Sequence, residues 1–146
     1  MTEKEQDNLF YFCTLIEFIA RKTKNTRRDV ISQFSKSMIE RQLRLAEVNH
    51  CLSFEQVSDE LIDELSIAEG TSDSVRDCKY TVPSEASIGR VYQRLILATV
   101  KDDLIQKIID VFSSFISDEI SNFNSNVYYS NPSYILCSYE EGKLLA

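Results

Sequence analysis

The stretch of sequence that decides the fold is VNHCLSFEQVSDELIDEL, residues 48–65. Ser53 and Gln56 have the spacing of a capping box, in which the serine oxygen accepts a hydrogen bond from the amide of the third helical residue and the glutamine side chain bonds back to the cap. A helix is therefore predicted to begin at Phe54. Apolar residues then recur at the helical period, which is typical of a helix that rests on a core. They are Phe54, Val57, Leu61, Ile62 and Leu65.

The other face of this helix is acidic and contains no basic residue. It carries Glu55, Asp59, Glu60, Asp63 and Glu64. Like charges one turn apart repel by only about 0.2–0.5 kcal/mol per pair, so water tolerates such a face. Two interpretations follow. The face is either a solvated surface that aids solubility or a docking site for a partner protein with a basic surface.

The composition is that of an acidic chain of single-domain size. Its 146 residues include 16 Lys and Arg against 23 Asp and Glu, a net charge of −7. A chain of this length can bury a core without metal or disulfide bonds. The negative charge argues against a broad surface for nucleic acid or anionic lipid. We expect no membrane span and no signal peptide, because the apolar run at residues 9–20 is short and contains Thr14 and Glu17.

Residues that commonly hold metals and cofactors are sparse. The four cysteines form no C-x-x-C pair, and there is one histidine. This pattern argues against a zinc site and favours free thiols in a reducing compartment. The three glycines are too far apart for a phosphate-cradling loop. We therefore expect a cytoplasmic protein with no cofactor and no metal site.

The N-terminal helix, predicted over residues 5–22, is apolar on nearly all sides and should be the central core helix. A turn at residues 21–28 follows with five bases and no acid. Thr26 and Asp29 within it predict the start of a second, short helix. The basic turn could contact nucleic-acid phosphates. The favoured alternative is that Arg21 and Lys22 complement the carbonyl end of the first helix and that the others are solvated or pair with the acidic face.

A third helix, predicted over residues 36–49, leads to the only histidine. His50 continues its apolar side, and such a histidine is usually a hydrogen-bonded structural residue or a partner of the helix dipole. Arg44 and His50 also resemble the R-x5-H pair of HEPN-type helical ribonucleases, although Leu45 departs from the polar residue usual there. That resemblance implies an enzyme in which Arg44 and His50 are catalytic and handle the RNA phosphate and the attacking 2′-hydroxyl. The acidic helix that follows would repel RNA.

The second half is predicted to begin with an irregular connection at residues 66–84, packed by Val75, Tyr80 and Val82. Two long helices should follow over about residues 84–99 and 102–123, and Gly89 should mark a close helix crossing.

An aromatic polar segment, NFNSNVYY at residues 122–129, precedes a last short helix between Pro132 and Gly142. The segment could stack a base or another ligand. It has no interleaved Arg or Lys, which favours an aromatic clamp that closes the fold.

Five stretches resemble one group of proteins. They are FYFCTLIEFIARK (10–22), NTRRDVISQF (25–34), RLAEVNHCLSFEQVSDELI (44–62), CKYTVPSEASIGRVYQRLI (78–96) and FISDEISNFNSNVYYSNPSYI (115–135). The group comprises small bacterial helical proteins with no assigned activity, from loci resembling toxin–antitoxin modules near an ADP-ribosyltransferase-like protein. The resemblance implies an antitoxin-like or accessory subunit and transfers no catalytic residue.

We predict an all-α single domain of about six helices. Residues 1–65 should form a four-helix part, residues 66–84 a connecting loop, and residues 85–146 two long helices and a C-terminal helix. We expect a non-enzymatic protein-binding module whose acidic helix docks on a partner protein with a basic surface. Nucleic acid and membrane are not expected as partners. The alternative is a HEPN-like ribonuclease that uses Arg44 and His50.

Overall fold

The computed structural model describes all 146 residues, and its regular secondary structure is all helical with no strand, which confirms the all-α prediction. The α-helices are α1 (Glu3–Thr23), α2 (Arg27–Ser32), α3 (Lys36–Asn49), α4 (Phe54–Leu65), α5 (Ser74–Asp77), α6 (Glu85–Thr99), α7 (Leu104–Phe112), α8 (Phe115–Ser121) and α9 (Pro132–Glu141), with a 3-10 turn at Val127–Tyr129. None of these helices combines the length and apolar character needed to cross a membrane.

Helices α2, α3 and α4 begin where the sequence predicts, and α1 begins at Glu3, two residues before its predicted start. Ser53 Oγ accepts a hydrogen bond from the Gln56 amide at 3.1 Å, so α4 begins at Phe54. The second bond of the predicted capping box is absent, because Gln56 Nε2 donates to Glu60 Oε1 at 3.3 Å instead. The last helix was also predicted correctly, with Asn131 as its N-cap and Gly142 in the left-handed conformation at its end.

The predicted count of about six helices is wrong. The long helix expected over residues 102–123 is divided into α7 and α8 at Ser113 and Ser114. Ser114 Oγ donates to the Val111 carbonyl at 2.7 Å, a side-chain bond that competes with the helical ladder. Arg28 donates from α2 to the carbonyls of Ser113 and Ser114 at 2.7 and 3.3 Å. The break is therefore stabilised from outside the helix. The short α5 within the connection was also missed.

The core is built around α1, as predicted. A single cluster of 27 buried apolar residues draws on both halves of the chain, and eight of them come from α1. The closest helix crossing is between α1 and α6, where Gly89 faces Thr14. A Cβ on Gly89 would lie 2.2 Å from Thr14 Oγ1 and 2.9 Å from Thr14 Cα. Gly89 therefore sets the distance between these two helices.

The connection at residues 66–84 is fastened to the rest of the fold by backbone hydrogen bonds. The amide of Gly70 donates to the Thr23 carbonyl and that of Ser72 to the Lys24 carbonyl, both at 2.8 Å. A Cβ on Gly70 would lie 2.6 Å from the Lys24 carbonyl oxygen, so this approach requires glycine. The predicted packing of Val75 and Tyr80 is wrong, because those side chains are 38% and 70% exposed, whereas Val82 packs against the core.

Candidate functional site

Three charged side chains meet in the interior of the protein. Glu17 is fully buried in α1 and accepts hydrogen bonds from Arg27 through both carboxylate oxygens. Arg21 Nε donates to the same carboxylate at 2.8 Å. Phe123 covers this group, with its ring centroid 5.1 Å from the Arg21 guanidinium carbon and 5.7 Å from that of Arg27. We refer to Glu17, Arg21 and Arg27 as the buried triad.

The buried triad connects distant parts of the chain. Arg27 Nη1 donates to Ser74 Oγ in α5 at 3.0 Å, and Arg21 Nη2 donates to the Pro83 carbonyl at 2.8 Å. Burial alone would raise the pKa of the Glu17 carboxyl, but the charges and hydrogen bonds of Arg27 and Arg21 outweigh it and hold that pKa below its usual range. Because the carboxylate is fully paired and enclosed, its role is to fix α1, α2 and the connection at residues 66–84.

The five bases of the turn at residues 21–28 all have partners within the chain. Arg21 and Arg27 belong to the buried triad, and Arg28 pairs with Asp118 at 2.8 Å. Lys24 Nζ lies 3.3 Å from a Glu69 oxygen, and Lys22 reaches α4. No base of this turn is therefore left without a carboxylate partner to contact nucleic-acid phosphates. Lys22, which was expected to complement the carbonyl end of the first helix, pairs instead with the acidic face, and none of the other four bases does so.

The acidic face of α4 is neutralised at its two edges and bare in its centre. Lys22 Nζ, from α1, lies 2.8 Å from an Asp59 oxygen and 2.9 Å from a Glu55 oxygen. Arg41, from α3, pairs with Glu64 at 2.6 Å. Glu60 and Asp63 are exposed and take part in no ion pair. The five predicted residues thus share one exposed helix surface, and neighbouring helices supply two cations to it.

The structure does not join Arg44 and His50 in one cavity. Arg44 is exposed and lies 3.4 Å from Glu40, one turn away on α3. His50 is the exposed C-cap of α3 and lines a shallow cavity with Tyr11 and Phe54 in which Arg44 takes no part. The two side chains leave the same helix in different directions.

A groove runs along the outer side of α6, beside the 3-10 turn and the start of α9. It comprises two adjoining cavities of about 370 and 680 Å³. Both cavities are lined by Val91, Arg94, Tyr128 and Tyr129. The larger one also includes Arg90. This α6 groove was not predicted, because the arginines and the tyrosines are more than 30 residues apart in the sequence.

The fold and these surfaces define an all-helical protein whose polar chemistry is organised as ion pairs. No group of three or more His, Cys, Asp or Glu side chains could hold a metal ion. The chain matches no protein-family model, no curated protein and no solved structure. The resemblance to small bacterial helical proteins therefore stays a prediction.

The buried triad was also not predicted from the sequence. Its signal was Glu17, a carboxylate in the middle of the apolar helix α1, which we took only as an argument against a membrane span. A charged residue that is surrounded by apolar positions on all sides needs a partner of opposite charge. The nearest bases that follow Glu17 along the chain are those of the turn at residues 21–28, and its partners Arg21 and Arg27 belong to that turn.

Proposed function

We propose that this protein is a non-enzymatic binding module that docks the basic surface of a partner protein on the exposed face of α4. The observation that carries the proposal is the surplus of carboxylates there, five against the two cations Lys22 and Arg41. In the setting that the family resemblance implies, the module would be an antitoxin-like or accessory subunit.

The position of the unpaired acids supports docking. With about 3.6 residues per turn, Asp63 lies opposite the side of α4 that buries Val57 and Leu61. Lys22 and Arg41 stand at the two borders of the face, so the negative potential is strongest between them. A basic partner would approach this strip faster and in a preferred orientation.

Apolar side chains for such a contact are present next to the acidic strip. Val48, in the last turn of α3, and Leu52, in the turn before α4, are 66% and 40% exposed. Stable interfaces combine an apolar centre with a charged rim. The end of α3 and the turn before α4 would therefore provide the apolar contact, and α4 would provide the charge.

Reversal of the two free charges tests the proposal. The products of genes adjacent to its own would be co-expressed with the protein, and the purified pair measured by titration calorimetry at several salt concentrations. The double variant Glu60→Lys/Asp63→Lys should weaken the complex by about tenfold or more, equivalent to roughly 1.4 kcal/mol. Asp59 is avoided as a target, because it holds Lys22.

A matched double variant on another helix serves as the control. Glu140 and Glu141 are exposed on α9 and form no ion pair, so Glu140→Lys/Glu141→Lys changes the net charge equally. This variant should bind as the wild type does. Equal weakening by both double variants, or binding that does not depend on salt, would overturn the assignment to α4. Absence of any basic partner among the co-expressed proteins would do the same.

A further inference from the structure

The α6 groove contains the two arginines of this acidic protein that pair with no carboxylate. The chain has eight arginines, and six of them pair with a carboxylate: Arg21, Arg27, Arg28, Arg41, Arg44 and Arg76. The two without a carboxylate partner are Arg90 and Arg94, and both line the groove. No acidic residue lines either of its cavities. Although the net charge of the chain is −7, the groove therefore favours an anion.

The two arginines are one helical turn apart, and they differ in whether neighbouring side chains hold the guanidinium in place. The Arg90 guanidinium lies 3.8 Å from the centroid of the Phe10 ring and donates to Gln93 at 2.7 Å, so it is held in place. The Arg94 side chain is exposed and makes no hydrogen bond or ion pair within the chain. Guanidinium groups match the oxygens of phosphate in planar, two-pronged geometry. Arg90 therefore provides a fixed contact and Arg94 a free one.

An exposed aromatic ring faces the same groove. Tyr129 is 68% exposed, and its ring contacts that of Tyr128 edge to face with centroids 4.9 Å apart. Tyr128 in turn packs against Phe123 at 5.9 Å, and the neighbouring Val127 is buried. The ring of Tyr129 is thus positioned by the core while most of its surface remains open. Such a ring offers a planar base a surface for stacking.

The end of the groove at α9 adds a weak positive potential. Pro132 and Ser133 line the smaller cavity at the first turn of α9, and this turn contains no acidic residue. The N-terminal end of a helix carries a partial positive charge and favours anions. Its contribution has the same sign as that of Arg94. The floor between them is apolar and includes Leu95 and Ile135.

We propose that the α6 groove is a nucleotide-binding site, with the phosphates on Arg94 and Arg90 and the base stacked on Tyr129. The volumes of its two cavities, about 370 and 680 Å³, are each within the range of small-molecule sites. An acidic peptide would use the arginines but would leave the exposed ring without a planar partner. A free nucleotide fits better than a long single strand, because two cations cannot offset the repulsion between a polyanion and an acidic protein. The site lies on α6 and is independent of the docking face on α4.

Titration calorimetry of the 146-residue protein with ATP, GTP and UTP tests the proposal, with circular dichroism as the check on folding. Arg94→Ala should weaken nucleotide binding about tenfold, because a charge-assisted hydrogen bond is lost from an exposed side chain. Tyr129→Ala should weaken it to a similar extent, about tenfold, through loss of stacking. Tyr129→Phe keeps the ring and should bind as the wild type does. Arg44→Ala, which removes an exposed arginine of α3, should also have no effect.

Three further probes distinguish a free nucleotide from an inorganic anion, a nucleic-acid strand and an acidic peptide. Inorganic triphosphate should bind more weakly than ATP and should be insensitive to Tyr129→Ala. If it binds as tightly as ATP, the site recognises only an anion and the proposal fails. An oligothymidylate that binds more tightly than free nucleotides, with the same variant pattern, would retain the nucleotide chemistry and make a single strand its source. Binding of a polyglutamate peptide without nucleotide binding, or no binding of any probe at millimolar concentration, would overturn the proposal.

Discussion

At the scale of single residues, Glu17 has the largest structural consequence. It is an ionised carboxylate with no exposure to solvent, and removal of an ion from water is costly unless partners surround it. Arg27 and Arg21 provide those partners from two places along the chain. The presence of Glu17 in an apolar helix is visible in the sequence. The identity of its partners is not, because it depends on how the turn after α1 folds back.

Replacement of this carboxylate should be among the most destabilising substitutions in the protein. Glu17→Gln keeps the size of the side chain but leaves Arg27 buried without a counter-charge. We expect a loss of about 3–5 kcal/mol in the free energy of unfolding, measured by urea denaturation. The matched control is Glu40→Gln, which removes an exposed partner of Arg44 and should change stability by less than about 1 kcal/mol. Similar losses in both variants would show that the buried triad is not a stability determinant.

At the scale of helices, the local signals in the sequence were sufficient where a cap or an apolar stripe decided the structure. Ser53 started α4 as predicted, and Asn131 with Gly142 bounded α9. The division between α7 and α8 was not predictable in the same way. Ser113 and Ser114 are only weakly unfavourable in a helix, and the carbonyls freed by the break are satisfied by Arg28 from a distant part of the chain.

The crossing of α1 and α6 gives a prediction about helix packing. Alanine is a better helix former than glycine by about 1 kcal/mol, so Gly89→Ala would stabilise an isolated helix. In this protein the new Cβ would meet backbone atoms of Thr14, which cannot move aside as a side chain does. The two central helices would have to separate, at a cost of about 1–3 kcal/mol.

Thermal and urea denaturation measure this effect, and Ala98→Gly provides the control for helix propensity. Ala98 is exposed on the same helix, so its replacement should cost about 1 kcal/mol through propensity alone. Gly89→Ala should therefore destabilise the protein even though it changes the helix in the favourable direction. An increase in stability on Gly89→Ala would mean that the crossing is looser than the structure shows.

At the scale of the whole molecule, what the sequence could not provide is the meeting of residues from different helices. The acidic face of α4 has no base of its own, yet Lys22 and Arg41 reach it from α1 and α3. The segment at residues 122–129 contains no Arg or Lys, yet α6 brings Arg94 beside Tyr129. In both places the local sequence shows which side chains the segment itself carries. The charges that complement them come from tertiary packing.

The pH dependence of stability should report on the buried triad within this acidic molecule. Arg27 and Arg21 outweigh the effect of burial and lower the pKa of Glu17 in the folded chain below the ordinary value of 4.5. The unfolded chain therefore binds a proton at Glu17 at a higher pH than the folded chain does. The stabilisation from Glu17 is complete above the unfolded pKa and is lost as pH falls through the folded pKa.

The test is the difference in unfolding free energy between the wild type and Glu17→Gln at each pH. The other carboxylates titrate alike in both proteins, so their effects cancel in this difference. With both proteins kept folded by the same concentration of sulfate, the gap in unfolding free energy should be constant from about pH 7 to pH 5 and should narrow in more acidic solution. The gap between the wild type and Glu40→Gln should stay small at every pH. A gap for Glu17→Gln that widens with acid would mean that the carboxyl is protonated in the native protein, contrary to its two arginine partners.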